Sequence, residues 1–137
     1  MRLIFRQGGV EKYRFDQLRV ISDSDGVYSG TVSNISAGTY DILMKGDVYL
    51  QKKCSSITLN PGANSLDWPA MIAGDVNNDN IIRMEDVSEE LSVWTSSETL
   101  VNSTNKKYDF NGDGWITISD ITLIISNWTA SEVYGDQ

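Results

Sequence analysis

Residues 75–86 read Asp-Val-Asn-Asn-Asp-Asn-Ile-Ile-Arg-Met-Glu-Asp, and 34 residues further on, residues 109–120 read Asp-Phe-Asn-Gly-Asp-Gly-Trp-Ile-Thr-Ile-Ser-Asp. Both stretches carry oxygen-bearing side chains at positions 1, 3, 5 and 12 of a twelve-residue frame. A tight loop turns alternate residues toward one point, and a hard cation such as calcium asks for roughly six to eight oxygens there. Asp, Asn and Gly also dominate ordinary turns. Two such stretches in register, each followed by an apolar run, instead specify a duplicated metal-wrapping unit.

In the first loop the side-chain donors are Asp75, Asn77, Asp79 and Asp86, with the carbonyl of Ile81 at position 7. In the second they are Asp109, Asn111, Asp113 and Asp120, with the carbonyl of Trp115. Position 6 must turn sharply, and Gly114 and Asn80 are residue types that tolerate the left-handed region. Ile82 and Ile116 at position 8 predict a short backbone pairing between the loops. At position 9, Thr117 suits a water-mediated contact, whereas Arg83 cannot be a ligand and is expected to point outward. Site one is therefore expected to be the weaker or the wetter of the two. Val87, Leu91 and Trp94 follow the first loop at i, i+4, i+7, and Ile121, Ile125 and Trp128 follow the second, which predicts two helices burying those faces. Pro69 and Gly74 leave no room for a long helix ahead of the first loop.

Two EF-hand-like loops ending in Asp, each followed by a single helix, resemble the type I dockerin family over about residues 72–130. The resemblance implies a module that folds around two Ca2+ ions and binds a cohesin domain on a scaffold or surface protein. It also implies that loop positions 10 and 11 contact the partner, here Met84 and Glu85 in one repeat and Ile118 and Ser119 in the other. These pairs differ in charge, size and polarity, so one preferred binding orientation is expected.

Charge divides the chain. Residues 1–70 hold eight Lys/Arg and seven Asp/Glu, and residues 71–137 hold three and twelve. An acidic chain without a basic stripe argues against nucleic acid. Clustered carboxylates repel one another without a cation, which couples folding of this half to metal. No apolar run is long enough to span a bilayer. The family resemblance places the module outside the cell, as part of a larger secreted protein whose leader lies outside this sequence.

Residues 1–70 read as short strands. Leu3 and Phe5 alternate, as do Tyr13 and Phe15, and runs at 27–32, 39–44, 48–50 and 56–59 are separated by Gly8-Gly9, Ala37-Gly38, Gly46-Asp47 and Pro61-Gly62. Residues 37–46, preceded by Asp25-Gly-Val-Tyr, resemble the prealbumin-like or carboxypeptidase-regulatory-like β-sandwich, and such a neighbour is similar to the X modules that accompany some dockerins. The expected architecture has two domains, all-β plus all-α. An antiparallel β-sandwich (1–70) packs on a small helical dockerin (71–137).

An enzyme is not expected. The chain has no His, which removes the commonest general base, and no phosphate loop or nucleophile motif is present. Two rivals are a calcium switch that opens a groove, disfavoured by the missing preceding helices, and a sandwich that binds carbohydrate through Trp68 or exposed tyrosines.

Overall fold

The computed structural model describes residues 1–22, 28–94, 98–128 and 133–137. It divides into two compact units, one of Met1–Gly46, Gln51–Pro69 and Asp136–Gln137, the other of Asp47–Leu50 and Ala70–Gly135.

In the first unit β1 (Arg2–Gln7), β2 (Val10–Phe15), β3 (Ile21–Ser22), β4 (Tyr28–Ser29), β5 (Gly38–Lys45) and β6 (Lys52–Leu59) follow in sequence. A four-stranded antiparallel sheet has the order β2-β1-β5-β6, and β3 pairs with β4. The β1–β2 turn is made by Gly8 and Gly9, whose φ values of 58° and 80° suit residues without a Cβ. Phe5 anchors one face, with Tyr13, Phe15 and Tyr40 edge-on at 6.3, 6.1 and 5.9 Å. Leu3, Ile42 and Leu59 complete that core, with Trp68 packed against it. Ile4 and Leu43 on the opposite face are buried too, so β1 buries three successive residues rather than alternating. The run at 48–50 is not a strand; Tyr49 makes an isolated bridge to Ala73 in the second unit. Asp25 to Val27, part of the motif that suggested the sandwich, lie outside the described residues.

The second unit holds β7 (Ile81–Ile82), α1 (Met84–Val93), β8 (Thr99–Leu100), a 3-10 turn at Lys106–Tyr108, β9 (Trp115–Ile116), α2 (Ile118–Asn127) and β10 (Val133–Tyr134). Among the described residues no α-helix runs directly into either loop, and only the 3-10 turn ends next to the second. The loops do not pair with each other as position 8 suggested. Instead β7 pairs with β10 and β8 with β9. The segment after each helix thus crosses to the loop of the other repeat. Beyond these pairs, Val101 N–H donates to Gly114 O at 3.1 Å and Gly135 N–H to Asn80 O at 3.0 Å, the same contact at the same repeat offset. Two free edges are closed by borrowed partners, satisfying main-chain groups that loops otherwise leave to water.

The helices pack on each other, but not with the faces that periodicity suggested. Val87 and Ile121 are buried as expected, whereas Leu91 is 46 % and Ile125 49 % exposed. The buried turn continues at i+3, through Glu90 in α1 and Ile124 in α2. Trp94 and Trp128 are half-buried C-caps with extended backbone. The core joins Val76, Ile82, Val87, Tyr108, Ile116, Ile121 and Ile124 with Leu50.

Gly74 leads into the first loop at φ 130°, and a Cβ there would stand 3.1 Å from Ile82 Cδ1. Gly74→Ala is therefore expected to destabilise this unit by about 2 kcal/mol through backbone strain and a core contact that must shift. A urea melt followed by the unit's tryptophan fluorescence checks this; an unchanged midpoint refutes it.

Candidate functional site

Each loop is knitted by its own acidic and amide side chains, and the knitting is the same in both. The position-1 carboxylate accepts from the position-6 N–H: Asn80 to Asp75 Oδ2 at 2.9 Å, Gly114 to Asp109 Oδ2 at 3.1 Å. The position-3 amide oxygen accepts from position 5, with Asp79 N to Asn77 Oδ1 and Asp113 N to Asn111 Oδ1 both at 2.9 Å. The position-5 carboxylate accepts from position 7, at 2.9 Å for Ile81 and 2.8 Å for Trp115. Position 12 closes the ring. Asp86 Oδ1 takes the Val76 N–H and Asp120 Oδ1 the Phe110 N–H, both at 2.8 Å. Their second oxygens take the N–H of the helix N-cap, Arg83 at 3.0 Å and Thr117 at 2.9 Å. The same carboxylate therefore closes the loop and caps the helix, so loop and helix form together.

Position 6 is left-handed in both loops, Asn80 at φ 70° and Gly114 at 90°. Position 4 is left-handed as well, Asn78 at 64° and Gly112 at 74°. The sequence reading missed this second turn, although Asn opposite Gly at matching positions was its signal.

Asp75, Asp86 and Asp120 are fully buried. Burial pushes the Asp86 carboxyl up, against backbone hydrogen bonds from Arg83, Asn77 and Val76 that hold it down. Glu90, also fully buried, has neither carboxylate oxygen hydrogen-bonded. Burial first, and then the charge of Asp120, push it up to about 8. Lys107, just ahead of the second loop, reaches back to the first. Its Nζ donates to Val76 O at 3.1 Å and to Glu89 Oε1 at 2.7 Å, and Tyr108 OH donates to the same Glu89 oxygen at 3.0 Å.

Among the described residues, no three carboxylate, imidazole or thiol side chains draw together into one cluster. The donors of each loop are instead a mixture of carboxylate, amide and main-chain oxygens, with no nitrogen or sulfur ligand. That is the chemistry of a hard cation's site, and buried carboxylates are the groups that gain most from one. Arg83 departs from expectation. It does not point away from the loop, because its Nη2 donates to Asp79 Oδ2 at 2.8 Å and its Nε lies 3.2 Å from Glu85 Oε2.

Residues 73–127 match the family described as the dockerin type I domain. Over that stretch the chain is similar to the type I dockerin domain. Comparison with curated proteins gave no match. Among solved structures the fold is similar to a C-terminal interface mutant of a type II cohesin–X–dockerin complex from Acetivibrio cellulolyticus. The identity is 23 % and the TM-score 0.57, covering 91 % of this chain and 79 % of that one. An N-terminal interface mutant of the type II complex from the same organism matches at 21 % identity and a TM-score of 0.56, with the same coverage. The dockerin assignment thus rests on sequence, while the likeness of fold reaches over nearly the whole chain. The loop residues that the dockerin resemblance marked for partner contact all lie at the surface. Met84 is 53 % and Ile118 56 % exposed, and Glu85 and Ser119 are exposed beside them.

Proposed function

We propose that this chain is a non-catalytic adaptor whose dockerin unit binds a cohesin in a calcium-dependent way, anchoring an extracellular parent protein to a scaffold or cell surface. The observation that carries the reading is the duplicated oxygen-lined loop within the dockerin stretch, in which the side-chain contacts of positions 1, 3, 5 and 12 to the main chain recur at the same offset. In this reading Asp75, Asn77, Asp79, Asp86 and the Ile81 carbonyl hold one calcium ion. Asp109, Asn111, Asp113, Asp120 and the Trp115 carbonyl hold the other. Bound calcium neutralises the clustered carboxylates and replaces hydrogen bonds made by their outer oxygens.

Met84 and Glu85, or Ile118 and Ser119, contact the cohesin. The first pair adjoins Arg83 and carries charge, while the second is aliphatic and neutral, which supports a single orientation. The strand-rich unit is an X-module-like β-sandwich in which the β3–β4 pair belongs to the second layer. Among the described residues no helix is long and apolar enough to cross a membrane. The carbohydrate reading gains nothing from Trp68, which packs against the sheet core with its indole N–H buried.

Calorimetric titration against type I and type II cohesins, in millimolar calcium and again in EDTA, tests the proposal. One-to-one binding that disappears in EDTA is expected. Binding unchanged by EDTA would remove the calcium dependence, and no binding to either type would remove the adaptor function.

A further inference from the structure

The two loops share the contacts that knit positions 1, 3, 5 and 12, although Asp109 Oδ1 also takes the N–H groups of Gly112 and Asp113 at 2.8 and 3.2 Å. They differ in charge at position 9, where the first has Arg83 and the second Thr117. Thr117 behaves as an ordinary helix N-cap; its Oγ1 accepts the Ser119 N–H at 3.1 Å. Arg83 makes no side-chain cap. Its guanidinium instead bonds the outer oxygen of Asp79, the position-5 carboxylate. That oxygen also receives the Asn77 amide at 3.3 Å, and the inner oxygen holds the Ile81 N–H. In the second loop the outer oxygen of Asp113 meets only the Asn111 amide, at 2.9 Å, among the contacts described. A charge-assisted bond at 2.8 Å is short and strong for its kind.

We propose that Arg83 is a built-in cation of the first loop, occupying at Asp79 the counter-charge position of a metal ion and making the dockerin's calcium uptake unequal. The inference rests on the calcium reading of the loops. A divalent ion entering loop one must displace the guanidinium from Asp79, or share the carboxylate with a positive charge a few ångströms away; loop two carries no such charge. Both costs are paid only at site one. Arg83 also reaches Glu85 at 3.2 Å. An ion that displaces the guanidinium from Asp79 turns it toward Glu85, so filling site one alters the charge offered at loop position 11. Arg83 is a positioning and selectivity residue, not a ligand.

The test is stepwise calcium binding by calorimetry on the whole chain, with terbium luminescence sensitised by Trp115 identifying the second loop. The unmodified chain is expected to show one tight step and one about tenfold weaker, the scale set by an ion pair plus like-charge repulsion near the surface. Arg83→Gln removes the charge, keeps most of the length and adds no cap. It should tighten the weak step by about tenfold and leave the terbium-reported step alone. The reciprocal Thr117→Arg should weaken the terbium-reported step by a similar factor. A gain of affinity is not what damage to the fold produces, so Arg83→Gln separates the two. Equal steps in the unmodified chain, or a weak step unmoved by Arg83→Gln, overturn the proposal while sparing the calcium reading. No uptake at either loop overturns both.

Discussion

Removing calcium is expected to unfold the dockerin unit, and Asp113→Ala to reproduce much of that loss with calcium present. Asp75, Asp86 and Asp120 are completely buried, and taking a carboxylate out of water without a counter-ion costs several kcal/mol. A site filled at a thousand times its dissociation constant returns about 4 kcal/mol. For a unit of this size that corresponds to a fall in thermal midpoint of more than about 15 °C on chelation. Asp113→Ala also releases the Trp115 N–H held at 2.8 Å, so Asp113→Asn is the cleaner change, keeping an acceptor while removing charge. Calorimetric melts and near-ultraviolet circular dichroism, with and without EDTA, give the answer. Superimposable traces would mean that the loops stand on their hydrogen bonds alone.

The second large effect is expected at Glu90. Burial raises its folded pKa to about 8 from the ordinary 4.5, so the folded state keeps a proton that the unfolded chain gives up. A raised pKa contributes stability that is complete below the unfolded value and is lost as pH climbs through the folded one. The dockerin unit should therefore weaken between about pH 5 and pH 8, by up to about 3 kcal/mol at neutrality from this group. Asp86, also raised by burial, adds to the trend, whereas Glu89, lowered first by its hydrogen bond to Lys107, opposes it. The difference between the parent and Glu90→Gln isolates Glu90 from both. Glu90→Ile places in α1 the residue found at the matching turn of α2, Ile124. It should raise stability at neutral pH by about 2–3 kcal/mol, since the folded state no longer has to hold a proton against solution and the buried, unpaired carboxyl is replaced by an apolar group. Urea melts at the two pH values decide it; a Glu90→Ile variant weaker than the parent at neutral pH would falsify this account.

Glu90 also marks where the sequence stopped being legible. The two loops could be read because positions 1, 3, 5, 6 and 12 each demand a particular residue type, and the demand is made twice. The helices could be placed because the position-12 Asp that closes each loop also begins each helix. Their buried faces could not. A charged residue at Glu90 disguised the i+3 turn of the core, and Leu91 and Ile125, both apolar, drew the stripe to the wrong side. Pattern rules assume that charge faces water, and here one charge does not.

In the strand-rich unit, Phe5, Tyr13, Phe15 and the Gly8-Gly9 turn announced the first hairpin. That β5 would pair with the other side of β1 needed long-range pairing, which local pattern does not carry. Val48 to Leu50 looked like a strand of the first unit and lie in the second, since Leu50 packs into the dockerin core. The two-residue pairs at Thr99–Leu100 and Val133–Tyr134 have no signature beyond their repeat spacing, and so the loops were expected to pair with each other. Arg83 was expected to point outward, and its reach back to Asp79 depends on side-chain direction, which spacing does not give.

The exchange of those short segments bears on how the chain is made. The first loop is synthesised before the strand that borders it, Val133–Tyr134, which lies some fifty residues further along the chain. A ribosome-bound nascent chain that has completed the first loop and its helix still lacks this edge, and gains it only when residues 133 and 134 emerge. Pairings between segments so distant in sequence close late. The duplicated halves thus do not mature one after the other; the first half becomes whole only after the second has been made, when Val133–Tyr134 return to the first loop.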